Sequence, residues 1–71
     1  MEENDVLKKF GFNVKLERMK QDLTQAQFAE ILGVHEKYIS RIERGKQNLT
    51  IKKLNALAKA LKIDLYKLLK F

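Results

Sequence analysis

The chain has 71 residues, no cysteine or proline, a single histidine and a formal net charge of +6. Such a composition offers neither a disulfide framework nor a ligand cluster for structural zinc, so we expect one small domain over residues 1–71 in a reducing compartment, the cytoplasm. No apolar run is long enough to span a bilayer, and the acidic start MEENDV is unlike a secretion signal. We expect no membrane partner, no cofactor and no small-molecule ligand.

The first predicted helix covers residues 5–20. Its inward stripe is formed by apolar residues three and four positions apart: Leu7, Phe10 and Val14. Leu16 and Met19 are expected to widen this apolar face. Gly11 weakens the helix without ending it.

The second predicted helix covers residues 25–32 and has clear signals at both ends. Thr24 and Gln27 have the spacing of a capping box, and Leu23 can pack on Phe28 as a hydrophobic staple. Gly33 then suits the left-handed conformation that closes a helix.

Three further helices are predicted from the same staple spacing, which recurs at Val34 and Ile39, at Leu49 and Leu54 around Thr50, and at Ile63 and Leu68 around Asp64. They cover residues 36–44, 51–61 and 65–70, and the third helix stops at Gly45. No segment alternates apolar and polar residues as a strand would. The sequence therefore predicts a compact all-α fold of five helices.

Helices 2 and 3 are predicted to form a helix-turn-helix over residues 24–44. Only Gly33 and a very short turn join them, so they must cross at a steep angle. The inner positions of this pair are apolar: Phe28, Ala29, Leu32, Val34, Ile39 and Ile42. The small Ala29 allows the second helix to approach the first closely.

The opposite face of helix 3 carries hydrogen-bond donors at i, i+3, i+4 and i+7: Lys37, Ser40, Arg41 and Arg44. The surrounding segment 35–53 has six basic and two acidic residues, a net charge of +4. On charge alone this indicates either a polyanionic partner or an ordinary solvated lysine surface. The DNA major groove accepts a helix and presents guanine acceptors that arginine can engage, so we expect Arg41 to contact a base. Glu36 either accepts a hydrogen bond from cytosine or only complements the helix dipole.

The segment LTQAQFAEILGVHEKYISRIERGKQNLT resembles the lambda-repressor-like, Cro/C1-type helix-turn-helix family, and the likeness extends over about residues 7–69. The positions that match the spacing of the family motif are Gln25, Ala29, Gly33, Ile39 and Ile42, and the run ISRIERG matches its recognition helix and exit. The stretch YISRIERGKQNLTIKKL also resembles the restriction-modification controller branch.

This resemblance implies a five-helix DNA-binding domain and a set of DNA-contacting residues. Gln25 would bind a phosphate, and base edges would be faced by His35, Glu36, Lys37, Ser40 and Arg41. The DNA backbone would be held by Arg44, Lys46, Gln47 and Asn48. Familiar repressors often have glutamines where this chain has Glu36 and Lys37, so no known operator sequence can be transferred.

A buried ion pair is predicted between helix 1 and helix 3. Arg18 continues the inward stripe of helix 1, where an unpaired charge would be costly. Glu43 lies four residues after Ile39 on the inward side of helix 3, so it is the expected partner. The resemblance implies the same structural pair.

One helix-turn-helix contacts only a few base pairs, which is too little to specify a site in a genome. We therefore expect two copies to bind as a symmetric pair. In the C-terminal segment DLYKLLKF, Leu65, Leu68 and Leu69 are expected to cover the core. Tyr66 and Phe71 either remain outside as part of a dimer surface or help to close the core of the monomer.

We therefore expect a transcriptional regulator that binds a palindromic operator in double-stranded DNA as a homodimer. The alternative is a protein-binding helical module, such as an antitoxin-like domain or a restriction-modification controller. Catalysis and metal binding are not expected, since His35 has no second histidine or cysteine and the carboxylates do not converge. The sequence also lacks the glycine-rich loops that bind nucleotide phosphates.

Overall fold

A computed structural model describes the backbone of residues 3–71 and the side chains of residues 5–71. It contains the helices α1 (Glu3–Lys20), α2 (Gln25–Leu32), α3 (Glu36–Glu43), α4 (Ile51–Ala60) and α5 (Leu65–Leu68). No strand occurs between residues 3 and 71, so the all-α prediction is confirmed. The first helix begins at Glu3, two residues before the predicted start.

The two strongest cap signals of the sequence form as predicted. The Thr24 hydroxyl accepts a hydrogen bond from the Gln27 amide at 3.0 Å, and the Gln27 side chain accepts one from the Thr24 amide at 2.8 Å. Gly33 closes α2 in the left-handed conformation, with φ of 72°. Thr50 caps α4 through the Lys53 amide at 3.2 Å, whereas the Asp64 side chain makes no cap bond to α5.

Three helices end one or two residues before their predicted limits, because the main chain leaves the helical conformation there. The Gly45 amide bonds to the Ile42 carbonyl at 3.0 Å with a φ of 73°, which ends α3 at Glu43. Lys62 takes a left-handed φ of 59° and ends α4 at Ala60. The α5 helix is a single turn that stops at Leu68.

The core lies between the five helices: α3 packs on α1 and α2, α4 packs on α2, and α5 packs on α1 and α4. Its buried apolar members are Phe10, Val14, Phe28, Ala29, Ile39, Ile42, Leu57, Ala58, Leu61 and Leu68. Leu32, Val34 and Leu65 are partly buried against this cluster. Each of the four later helices therefore contributes to one shared core with α1, and the helix-turn-helix packs through the inner positions that the sequence predicts.

Three apolar residues that were predicted to pack on the core are exposed instead. Leu16, Met19 and Leu69 are 39%, 53% and 43% exposed, respectively. The reason for the first two is that α1 buries only the stripe that faces α3 and α5. Leu16 and Met19 follow Val14 by two and five positions, which places them on the opposite side of the helix. Leu69 follows the last turn of α5 and is directed away from the core. Leu65 and Leu68 do pack on the core as predicted.

Gly11 has a role that the sequence did not reveal. An added Cβ atom at this position would lie 2.2 Å from the Ile42 carbonyl oxygen and 2.8 Å from that of Glu43. The missing side chain thus allows α1 to approach the C-terminal end of α3 closely.

No helix between residues 3 and 71 has the length and apolar character of a membrane span.

Candidate nucleic-acid interface

A buried ion pair holds α3 against α1. The Arg18 Nε donates to Glu43 Oε2 at 2.7 Å, and Arg18 Nη2 donates to Glu43 Oε1 at 3.0 Å. The two side chains are only 9% and 3% exposed. The Arg18 Nη1 also donates to the Leu23 carbonyl at 2.6 Å, so the guanidinium joins α1, the start of the helix-turn-helix and α3. This is the pair that the inward stripe predicts.

Gln25 adds a fourth connection to this pair. Its Nε2 donates to Glu43 Oε1 at 3.0 Å, and the residue is half-buried at the first position of α2. One amide hydrogen is therefore used inside the protein. The second amide hydrogen remains available for the phosphate contact that the family resemblance implies, and that contact stays a prediction.

The outward face of α3 is free of packing contacts along most of its length. Glu36, Lys37 and Arg41 are exposed, and Ser40 is half-buried. His35 is the N-cap: its Nδ1 accepts a hydrogen bond from the Lys37 amide at 3.1 Å. His35 thus has a structural role at the helix start while its ring remains exposed. The five residues predicted to face bases are brought together on one short helix and its cap.

The backbone-contacting residues predicted after α3 lie on the turn that leaves this helix. Arg44 is exposed, and its Nε donates to the Ser40 carbonyl at 3.3 Å. Lys46 and Asn48 are exposed, whereas Gln47 is half-buried. The Arg41 Nε donates to Gln47 Oε1 at 3.1 Å, a contact that links the central residue of the donor stripe to the turn.

A further basic residue beside α3 was missing from the predicted site. Lys53 of α4 lies over the half-buried ring of Tyr38, with its Nζ 5.8 Å from the ring centroid. This arrangement places a cation from α4 beside α3. The only sequence signal was the excess of positive charge over residues 35–53, which includes Lys53 but does not indicate where its side chain lies.

The arrangement suits binding to a polyanion. Exposed donors come from α3, from the turn after it and from α4, and α3, which carries Lys37 and Arg41, is held against α1 by the Arg18–Glu43 pair. Across the side chains of residues 5–71, no three acidic, histidine or cysteine residues group closely enough to hold a metal ion.

The helix-turn-helix family designated HTH_3 matches residues 14–68. The control protein C.SmaI of Serratia marcescens is 42% identical over 65 residues, which cover 92% of this chain and 77% of that protein.

Solved structures of controller proteins are also similar to this chain. The restriction-modification controller protein C.AhdI of Aeromonas hydrophila has a TM-score of 0.82 and 32% identity, over 87% of this chain and 94% of that one. The controller protein C.Esp1396I, solved as a tetramer with its natural 35 base-pair operator, has a TM-score of 0.80 and 34% identity. The similarity covers 90% of this chain and 88% of that one.

Proposed function

The chain belongs to the Cro/C1-type helix-turn-helix family, and from this premise we propose that it regulates transcription by binding a specific sequence in double-stranded DNA. The observation that carries the proposal is the outward donor stripe, exposed at Lys37 and Arg41 of α3 and at its C-cap Arg44, on a helix that a buried ion pair holds against α1. Its site of action would be the cytoplasm, since the relatives are bacterial proteins and the target is DNA.

In this proposal, α3 lies in the major groove with its first two turns nearest the bases. Arg41 engages guanine O6 and N7, and Lys37 and Ser40 donate to neighbouring acceptors. Glu36 accepts from a cytosine amino group, and His35 contacts a base edge from the N-cap. A bidentate arginine contact contributes about 1–3 kcal/mol of discrimination against the wrong base.

Contacts to the DNA backbone would fix the orientation of α3 in the groove. They come from both ends of the helix-turn-helix. Gln25 lies at the start of α2, and the turn after α3 carries Arg44, Lys46, Gln47 and Asn48. The family resemblance implies all five contacts. Lys53 is a further candidate because it lies beside α3. Such contacts do not read sequence but release counterions, so they make affinity depend steeply on salt.

We propose a homodimer on a palindromic operator, and the C-terminal segment supports it. Tyr66 and Phe71 are 61% and 51% exposed, and Leu69 is exposed between them. The Asn13 amide holds this segment against α1 by donating to the Leu68 carbonyl at 3.0 Å. Exposed apolar side chains on a segment held in this way suit a two-fold contact with a second copy.

The controller relatives favour a narrower version of the proposal. C.Esp1396I was solved as a tetramer on a 35 base-pair operator, and C.SmaI is also a control protein. We propose that this chain likewise controls a restriction-modification system, with two dimers on neighbouring sites. The rival function, a module whose main partner is a protein, has no observation in the described residues that favours it over DNA.

Selection of bound sequences from a random double-stranded pool tests the proposal. The wild-type chain should enrich a palindrome whose half-site centres are about 34 Å apart. Arg41→Ala should lose preference at one position per half-site, whereas the matched control Lys59→Ala, which removes one exposed charge from the end of α4, should keep the full preference. Absence of any enriched sequence with the wild-type chain would contradict the proposal.

Sedimentation of the free protein tests the dimer separately. Replacing both Tyr66 and Phe71 by serine should shift the chain toward monomer and weaken binding to the full palindrome more than binding to a half-site. Ile51→Ser is the control, because Ile51 is also exposed and apolar but begins α4. An unchanged dimer in the double variant would place the interface elsewhere.

A further inference from the structure

The guanidinium of Arg41 is held by the turn that follows its own helix. Its Nε donates to Gln47 Oε1 at 3.1 Å, and its Nη2 donates to the Lys46 carbonyl at 3.2 Å. Both acceptors belong to consecutive residues outside α3. An exposed arginine side chain is otherwise free to adopt many rotamers, so two hydrogen bonds to one short segment restrict where its donors point.

These two bonds use one edge of the guanidinium and leave another free. The Nε and Nη2 hydrogens lie along the same side of the planar group, which carries five donors in a fixed arrangement. Three hydrogens remain, one on Nη2 and two on Nη1, and two of them lie side by side on the end formed by Nη1 and Nη2. That end can still donate to O6 and N7 of one guanine.

The turn that supplies the acceptors is itself firmly held. The Lys46 amide donates to the Arg41 carbonyl at 2.8 Å, so the main chain returns to the residue whose side chain it binds. Gly45 packs so closely on α1 that an added Cβ would lie 2.8 Å from the Lys8 Cα. Gln47 is half-buried, and its Nε2 donates to the Asn48 carbonyl at 3.3 Å, which fixes which end of the amide faces Arg41.

We infer that Gln47 is a positioning residue that sets the base specificity of Arg41. The amide oxygen of Gln47 and the Lys46 carbonyl bind one edge of the Arg41 guanidinium before DNA arrives, so that its free end is presented to a guanine. This role differs from the phosphate contact that the family resemblance implies for Gln47. The inference rests on the proposed function, because it assigns the geometry of a base contact within it.

A double-mutant cycle separates the two roles. Affinity is measured for the selected operator and for the same operator with the Arg41-dependent guanine replaced, using wild type, Arg41→Ala, Gln47→Met and the double variant. Gln47→Met keeps side-chain length but removes the acceptor. Thermal unfolding of each variant is recorded so that affinity is compared among folded proteins.

The inference predicts a specific pattern of discrimination between the two operators. Arg41→Ala should lower the preference by about 5- to 150-fold, and Gln47→Met by about two- to tenfold. The double variant should match Arg41→Ala alone, because Gln47 acts only through Arg41. Gln47→Met should weaken binding to the selected operator more than binding to the replaced operator, whereas loss of a phosphate contact alone would weaken both equally.

Gln47→Glu provides a rescue that a phosphate-binding role cannot. Glutamate keeps the acceptor for Arg41, so the preference between the two operators should be retained while the added negative charge weakens binding to both. The inference is overturned if Gln47→Met weakens both operators equally, or if the losses from Arg41→Ala and Gln47→Met multiply in the double variant. A wild-type chain without any preference would instead contradict the proposed function itself.

Discussion

Replacing Gly11 by alanine should destabilise the protein, although the residue lies inside a helix. Helix propensity alone predicts the opposite sign, because alanine is favoured over glycine in a helix interior by about 1 kcal/mol. The structure opposes this gain, since the new Cβ atom would lie 2.2 Å from the Ile42 carbonyl oxygen. The atoms that it meets belong to the main chain, so a change of rotamer cannot relieve the contact.

The size of the loss follows from how far the helices must separate. Ordinary van der Waals contact begins at 3.4 Å, so α1 and the end of α3 must move apart by about 1 Å, and overpacking of this kind costs about 3 kcal/mol at the upper end of its usual range. After the gain in propensity, the net loss in the free energy of unfolding is about 2 kcal/mol. For a chain of this length, that loss lowers the Tm by about 10 °C.

Thermal and urea unfolding of Gly11→Ala, followed by circular dichroism, measure this loss. Gly33→Ala is the matched control, because an added Cβ there meets nothing within 4 Å and the cost comes only from the left-handed φ of 72°. The control should lose about 1 kcal/mol. A Gly11→Ala variant as stable as wild type, or more stable, would show that α1 and α3 do not approach each other as described.

Two further predictions concern stability. Arg18→Ala should lower the free energy of unfolding by about 3–5 kcal/mol because it leaves the Glu43 carboxylate buried without its partner, and Arg18→Met combined with Glu43→Leu should recover most of that loss in urea unfolding. Thr24→Ala should cost about 1 kcal/mol through the lost cap bond, whereas Asp64→Ala should change stability by less than about 0.5 kcal/mol because Asp64 makes no cap bond. Equal losses for Thr24→Ala and Asp64→Ala would refute the assignment of the caps.

The features that sequence predicts well are those set by residues close together in the chain. The α2 helix has the predicted limits because Thr24, Gln27 and Gly33 determine its ends through local hydrogen bonds and one φ angle. The Arg18–Glu43 pair could also be predicted, because helical spacing places each charge on an apolar stripe where it needs a partner.

The features that sequence misses depend on how distant segments meet. Gly11 looks like a weak helix residue until α3 is placed against it. The contact between Arg41 and Gln47 depends on the path of the turn after Gly45, which brings a side chain back over α3. Spacing along the chain does not reveal such a path.

Methylation interference on the selected operator tests most directly whether α3 reads bases from the major groove. Methyl groups placed on guanine N7 project into that groove, so the wild-type chain should be blocked by methylation of at least one guanine in each half-site. Arg41→Ala should become indifferent to one of these guanines while remaining sensitive at other positions. Full binding by the wild-type chain to operators methylated at every guanine N7 would contradict the placement of α3 in the groove.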